Sequence, residues 1–443
     1  MPGIYRKSTG HTEEKIMNAH ARARKHCFAK CVLLAILLFC WATAQADVVL
    51  DWNAIAVDTF NANGQNPFAQ ARYGAIVQVA VFEAVNAITG EYHPYLGTIK
   101  AAPGASADAA AAQAAYDVLI NYFPNSASTL QAALSSSLAP IPDGQAKTDG
   151  IATGHTAAAA MIALRANDGS SPPQFYTPGP LVPGAWQATP SCPVINGVAV
   201  GAFYHWQNLT PFGIPDAHAY LLDPPPALSS NRYAKTYNEV KTVGSLTSTE
   251  RSLDRENVVL FYEVSSPTLV LNQAARQVAQ ERWYSLSENA RALALINMAI
   301  SDSLVASFFN KYHYIFWRPE TAIRAGDTDG NPKTEGDPNF LPFILTPCFP
   351  SYPSNHGSGS SGGAEVLRRL YGESGHLMTI SNPGATPIVL QYNSFKQITD
   401  DISDARVYGG IHFRTDQDAG ERLGRAVGTA VYKNNLRPMH DDD

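Results

Sequence analysis

The sequence predicts an all-α fold, a helical bundle carrying long Pro/Gly-rich loops. Three observations point there. Apolar residues recur at helical spacing in one segment after another. Runs that alternate apolar and polar residues over strand lengths are few. Most of the periodic segments are Ala-rich, and Pro or Gly stands close to their ends. With 443 residues, 45 % hydrophobic and 16 % charged, the chain can bury a large core in one or two domains.

The first element is a processing segment. Arg22, Arg24, Lys25 and Lys30 precede the apolar run "CVLLAILLFCWATA", and Ala44 and Ala46 form a small-x-small cleavage pattern. We expect a signal peptide over residues 1–46, cleaved after Ala46, and hence a secreted or periplasmic protein. An uncleaved anchor is the alternative, but the run is short for a bilayer span, so no stable membrane span is expected after cleavage. The leader holds seven of the 32 Lys/Arg and two of the 38 Asp/Glu, which leaves 397 residues at net −11. An acidic chain without a basic tract is a poor nucleic-acid binder. Three of the five cysteines fall in the leader, leaving Cys192 and Cys348. Two cysteines exclude a disulfide framework and a Cys-type zinc site. A single bridge and a pair of buried thiols both fit.

Residues 47–443 read as one large helical domain. Helices are predicted over 52–90, with a break between Asn61 and Pro67, and over 106–123, just before Pro124, and 149–168. Residues 170–227, with "SSPPQFYTPGPLVPGAW" and "DPPPAL", are too rich in Pro and Gly for regular helix. So long an irregular stretch is usually a functional loop or a cover. Its Trp186, Phe203, Tyr204, Trp206 and Phe212 predict that it packs. Helices resume over 232–244, 248–264 and 268–283. The next, 287–317, is mostly apolar, ends before Pro319, and carries Ser301, Asp302 and Ser303 in its middle, which reads as a central buried helix. Further helices are expected near 360–372, 388–405 and 415–433.

Three stretches within 311–416 carry chemistry. In "KYHYIFWRPE", Lys311 and Arg318 stand seven residues apart, two helical turns, among four aromatic rings. In "YPSNHGSGSSGG", Pro353, Ser354, Asn355 and His356 stand directly before a helix of small residues, where amides, a hydroxyl and an imidazole make an anion cradle. In "DARVYGGIHFRTDQD", Arg406 precedes His412 by six residues and Asp416 follows it by four. If helical, Asp416 would hold the His412 ring and fix its tautomer. Taken singly, each has a structural reading: paired charges, a surface histidine, a helix-face pair. Together, three fixed cations, two histidines, a serine and a carboxylate describe a site for a tetrahedral oxyanion.

The ordered set K-x6-RP, PS-x-H and R-x5-H-x3-D resembles the superfamily of type 2 phosphatidic acid phosphatases and vanadium haloperoxidases. "KYHYIFWRP", "FPSYPSNH" and "YGGIHFRTD" look closest to its soluble vanadium haloperoxidase branch, and "PGAWQATP", "TPFGI", "DPPPALSS" and "NEVKTVG" extend the likeness over most of the chain. The resemblance implies that family's helical-bundle fold and a vanadate cofactor, with phosphate as a competing oxyanion. It implies hydrogen peroxide and halide as substrates, with hypohalous acid as product. Lys311, Arg318 and Arg406 would neutralise the oxyanion's oxygens. Ser354 and the amide of Asn355 would hydrogen-bond it. His412 would be the apical metal ligand, with Asp416 behind it, and His356 the acid–base. Phe349 and Phe308 are the expected halide pocket, and Glu263 the expected brace for Arg406. Two positions depart from the family pattern: Asn355 replaces a glycine, and Ala405 replaces a serine. Asn tolerates positive φ, should that amide require it.

The same residues serve a second chemistry. In a soluble acid phosphatase acting on a phosphate ester, His412 would be the phosphoryl acceptor and His356 would protonate the leaving group. A third reading is an oxyanion-binding protein without catalysis. An organic halogen acceptor and a homodimer complete the expectations. Two further motifs carry nothing: "GSSGG" lacks the strand a nucleophile elbow needs, and "DTDGNPKTEGD" has its glycine two positions early for a calcium loop.

Overall fold

The computed structural model describes residues 47–439. The expected signal peptide, residues 1–46, lies outside the described residues. Helices dominate, as predicted. The N-terminal layer contains α1 (Val48–Ala62), α2 (Pro67–Thr89), α3 (Ala107–Tyr122), α4 (Ala127–Leu138) and α5 (Gln145–Arg165). Asn66 explains the break between α1 and α2: its side chain accepts from the amides of Phe68 and Ala69, and Pro67 is pre-set for the first helical position. α4 has no counterpart among the predicted helices, because its Ser-rich face is exposed and its buried apolar residues are only Leu130 and Leu134.

The second layer is α6 (Asn231–Val243), α7 (Leu253–Glu263), α8 (Pro267–Arg282), α9 (Leu286–Tyr314) and the short α10 (Pro319–Arg324), followed by α11 (Asn355–Tyr371), α12 (Phe395–Tyr408) and α13 (Arg414–Asn434). The central helix is α9, which packs against α2, α8, α11 and α13. It is apolar and long enough to cross a bilayer, yet 94 % of its most apolar window is buried inside the protein. Asp302, in its middle, accepts from the amides of Phe212, Gly213 and Ile214 at 2.7, 2.6 and 3.0 Å. Asn310 bonds the amide of Leu222 at 2.8 Å and the carbonyl of Tyr220 at 3.0 Å. The polar residues of this helix therefore anchor the irregular segment 170–227, which is a packed cover as predicted. That segment contains two short 3₁₀ helices (Tyr204–Asn208 and Ala217–Tyr220) and the two-residue strands β1 (Val194–Ile195) and β2 (Val198–Ala199). Of the two cysteine alternatives, the structure has the bridge: Cys192 and Cys348 form a disulfide with Cα atoms 5.2 Å apart.

Three expectations need correction. The helix expected over 388–405 begins only at Phe395, because Val389–Ser394 (β4) pairs antiparallel with Ser374–Ser381 (β3). β3 buries alternate residues, His376, Met378 and Ile380, which is the period of a strand. The central helix stops at Tyr314 rather than Trp317. Ile315 adopts φ 49°, and Arg318, constrained by Pro319, is extended. Finally, α11 starts at Asn355, so Asn355 and His356 belong to its first turn, and Asn355 is not at positive φ.

The small residues after His356 are explained by packing. A Cβ on Gly420, Gly424 or Gly428 of α13 would collide with the carbonyls of Ser354, Ser358 and Gly362 on α11. On the opposite side of α11, a Cβ on Gly362 or Gly363 would crowd α9. Glycine at these positions lets three backbones approach closely. "GSSGG" is thus a helix interface. In the "DTDGNPKTEGD" loop, Asp329 and Asp327 accept hydrogen bonds from their own loop, at Asn331, Thr334 and Gly336.

Candidate active site

The close contact of α11 with α13 brings the second and third motifs together, and the extended strand after α9 adds the first. Residues 315–317 run between two neighbours. Trp186 and Trp317 donate their amides to Ile315 and Gly184, at 2.8 and 3.0 Å, and Ser351 donates to Phe316 at 2.8 Å. Lys311 and Arg318 therefore do not share a helix face. They converge instead on one ring: Lys311 Nζ is 5.2 Å and Arg318 Cζ 5.0 Å from the centroid of Phe349. A ring face attracts cations, which partly offsets the cost of burying two like charges.

Lys311 is fully buried, and its ammonium donates to the carbonyls of Pro350, Ser351 and Pro353 at 2.8, 2.8 and 2.5 Å. All three donors are used. Burial, then the charge of Arg318, holds its pKa well below the usual lysine value. Arg318, also fully buried, donates through Nε to Phe349 O at 2.9 Å. Its Nη1 reaches Ile411 O and Nε2 of His412, both at 2.9 Å. Burial lowers its pKa to about 9.

His412 lies in the turn before α13, and Asp416 in that helix's first turn, so their pairing crosses a helix start rather than running along a face. Nδ1 of His412 is 2.9 Å from Oδ2 of Asp416, an oxygen that also accepts from Ser351 Oγ at 2.6 Å and from the amide of Phe413 at 3.2 Å. Burial lifts the Asp416 carboxyl to about 6, which leaves it ionised at neutral pH. Burial and the surrounding cations Arg318, Lys311 and Arg406 hold the His412 pKa well below its ordinary value. The imidazole is thus neutral, Nδ1 carries the proton toward the carboxylate, and the Nε2 lone pair accepts from Arg318 Nη1.

Arg406 donates from Nη1 to Tyr262 O at 3.1 Å, and burial lowers its pKa to about 10. Glu263 raises that pKa electrostatically but is exposed, with no ion pair to Arg406 among the described contacts. The brace from this helix is the Tyr262 carbonyl. His356 is half-buried and hydrogen-bonds the backbone of Ser265; burial, with Arg406 and Lys311 next, keeps it neutral. Ser354 caps α11 by accepting from the Gly357 amide at 3.2 Å, and its own amide donates to Asp416 O at 2.9 Å. Asn355 turns its side chain to α9, where Oδ1 accepts from Ser307 Oγ at 2.7 Å. Phe308 and Phe349 pack edge-to-face, with centroids 5.5 Å apart.

All the sequence-predicted residues except Glu263 therefore lie in or directly against one buried cluster. Sequence reasoning missed Ser351, which braces Asp416 and sits 3.4 Å from Nδ1 of His412. Its signal was its place inside "FPSYPSNH". The cluster also carries donors with no partner among the described residues: Arg318 Nη2, Arg406 Nε and Asn355 Nδ2. Buried polar groups are normally hydrogen-bonded, and guanidinium donors fit the oxygens of vanadate or phosphate. The residues present thus fit a bound oxyanion.

Residues 291–441 match the family described as the VCPO second helical-bundle domain. Over 186 residues the chain is 28 % identical to vanadium chloroperoxidase of Curvularia inaequalis, a match covering 34 % of this chain and 30 % of that protein. It thus spans under a third of that relative's length. A bacterial vanadium-dependent iodoperoxidase superposes with TM-score 0.72 at 22 % identity, over 90 % of this chain and 97 % of the other. A bacterial vanadium-dependent chloroperoxidase in its holo form gives 0.66 at 17 % identity, over 83 % and 91 %. The chain thus shares the fold of these vanadium haloperoxidases, and its residues 291–441 match the VCPO second helical-bundle domain.

Proposed function

We propose that the protein is a vanadate-dependent haloperoxidase that oxidises halide with hydrogen peroxide to hypohalous acid. The observation that carries this reading is the neutral His412, its Nδ1 held by Asp416, with the unpartnered donors of Arg318 and Arg406 in the same buried cluster. His412 would hold vanadate through Nε2. Arg318, Arg406, Ser354 and the first amides of α11 would neutralise its oxygens. When bound, vanadate supplies the Lewis-acidic centre that activates peroxide. Because Lys311 spends its donors on carbonyls, it contributes a fixed positive field. His356, neutral at the cluster's edge, would accept a proton from peroxide and return it to the leaving oxygen. Phe349 and Phe308 would form the apolar side of the halide pocket. Export belongs to this reading, since a structural disulfide suits an oxidising compartment.

The test is direct. Purified protein is supplied with orthovanadate, and bromination of a phenol dye by peroxide is assayed beside hydrolysis of an aryl phosphate. Vanadate-dependent bromination is expected, and it should vanish in His356→Ala. Phosphate hydrolysis without bromination would sink the proposal in favour of a phosphatase.

A further inference from the structure

Outside the oxyanion cluster, a cavity of about 350 Å³ opens between the start of α2 and the cover segment. Tyr73, Phe175, Phe203 and Trp206 give it four aromatic walls, and Asn66, Ser170, Ser171 and His205 give it polar ones. Its charge is already compensated. Arg72, on the lining, is paired with Asp168 at 2.7 Å and bonded to Arg165 O at 3.0 Å. Nδ1 of His205 accepts from the Gln174 amide at 3.1 Å. A volume of this size, with four aromatic walls and uncharged polar groups beside them, suits a small neutral ring system that carries a hydrogen-bonding group.

The cavity shares a wall with the proposed halide pocket. Phe203 lies 6.1 Å from Phe308 and 6.2 Å from Phe349, centroid to centroid, and Phe68 fills the space between, 4.8 Å from Phe203 and 4.7 Å from Phe308. Phe203 holds φ 61°, a left-handed conformation unfavourable for a bulky residue. Such strain persists only where the surroundings fix it. Here they do. Ala202 donates to Cys348 O at 2.7 Å, Gly201 exchanges two backbone bonds with Tyr176, and the Tyr312 hydroxyl donates to Ala202 O.

We propose that this cavity binds a neutral, electron-rich arene of phenol or indole size and holds it for halogenation, an inference that rests on the haloperoxidase reading above. The ring's π pair forms a carbon–halogen bond with hypohalous acid. The halogen–oxygen bond breaks, and oxygen leaves as water with the proton lost from the ring carbon. The oxidant is the hypohalous acid generated from peroxide and halide behind the Phe203 wall.

Indole is titrated against vanadium-free protein by calorimetry, in wild type and two cavity variants. Ala69→Phe fills the cavity, and Phe175→Ala removes a ring that is 43 % exposed and so is not needed for folding. Saturable binding is expected, weakened by at least about tenfold in each variant, with indole KM rising in parallel under turnover. Oxidation of iodide alone, by vanadate-loaded protein, should stay at the wild-type rate. Absence of saturable binding, or binding that both variants leave unchanged, overturns the inference. Because the titration needs no turnover, failure of the cavity and failure of the peroxidase reading are separate results.

Discussion

Nδ1 of His412 and Oδ2 of Asp416 lie 2.9 Å apart, and the same carboxylate oxygen is held by Ser351 and by the Phe413 amide. One atom thus fixes the ring, its tautomer and the start of α13. Asp416→Asn offers His412 an amide donor and reverses the preferred tautomer, placing the proton on Nε2. We expect a loss of about 10–100-fold in vanadate affinity or turnover. Restoration of bromination by graded orthovanadate measures it, and circular dichroism checks that the fold is kept.

Lys311 is predicted to stabilise the protein before any anion binds. If it served only to bind an oxyanion, its removal would relieve repulsion with Arg318 and raise stability. Three buried carbonyls depend on it, however, and each orphaned acceptor costs about 1–3 kcal/mol. Lys311→Met should therefore lower the unfolding free energy by at least about 3 kcal/mol in vanadate-free buffer. Urea unfolding tests the sign.

Gly424→Ala should separate α11 from α13. The added methyl would meet Ser358 O and lie 2.7 Å from the Gly362 amide. Overpacking of this kind costs roughly 1–3 kcal/mol. The shift would move Ser354 and His356 away from His412. Bromination should fall more steeply than stability, which thermal melts and initial rates together reveal.

Asp302 gives a pH signature remote from the site. Burial raises its pKa from 3.8 to about 6 despite three amide donors. The folded state then holds a proton that the unfolded chain has released, so between these values stability increases as pH falls. The contribution is on the order of 3 kcal/mol, at about 1.4 kcal/mol per unit. Wild type should gain on Asp302→Asn in urea midpoints taken from pH 7 down to pH 4. A constant difference across that range would refute the assignment.

The helical class, the buried α9 and the packed cover were legible because apolar period, Pro placement and aromatic content are local properties. The site motifs were legible because their residue types make chemical sense only together. What escaped was set by tertiary contacts. Ile315 at positive φ and the extended Arg318 depend on pairing with residues 184–186 and 351, which no local pattern announces. Ser351 gains its role from a carboxylate 65 positions away. Residues 389–394 are a strand because they pair with 374–381, a partner that their own sequence does not announce.

Among the points that fasten the cover segment to the rest of the protein are Asp302 and Asn310 on α9, the hydroxyls of Tyr312 and Tyr314, and the bridge from Cys192 to Cys348. None of these fastenings uses a donor of the oxyanion cluster. The stretch between them is nonetheless tied to the cluster, because Gly184 and Trp186 hold the backbone that leads into Arg318. Replacing the loop between Pro173 and Pro193 should therefore disturb Arg318 as well as the path into the catalytic chamber, and substrate access and charge chemistry should change together.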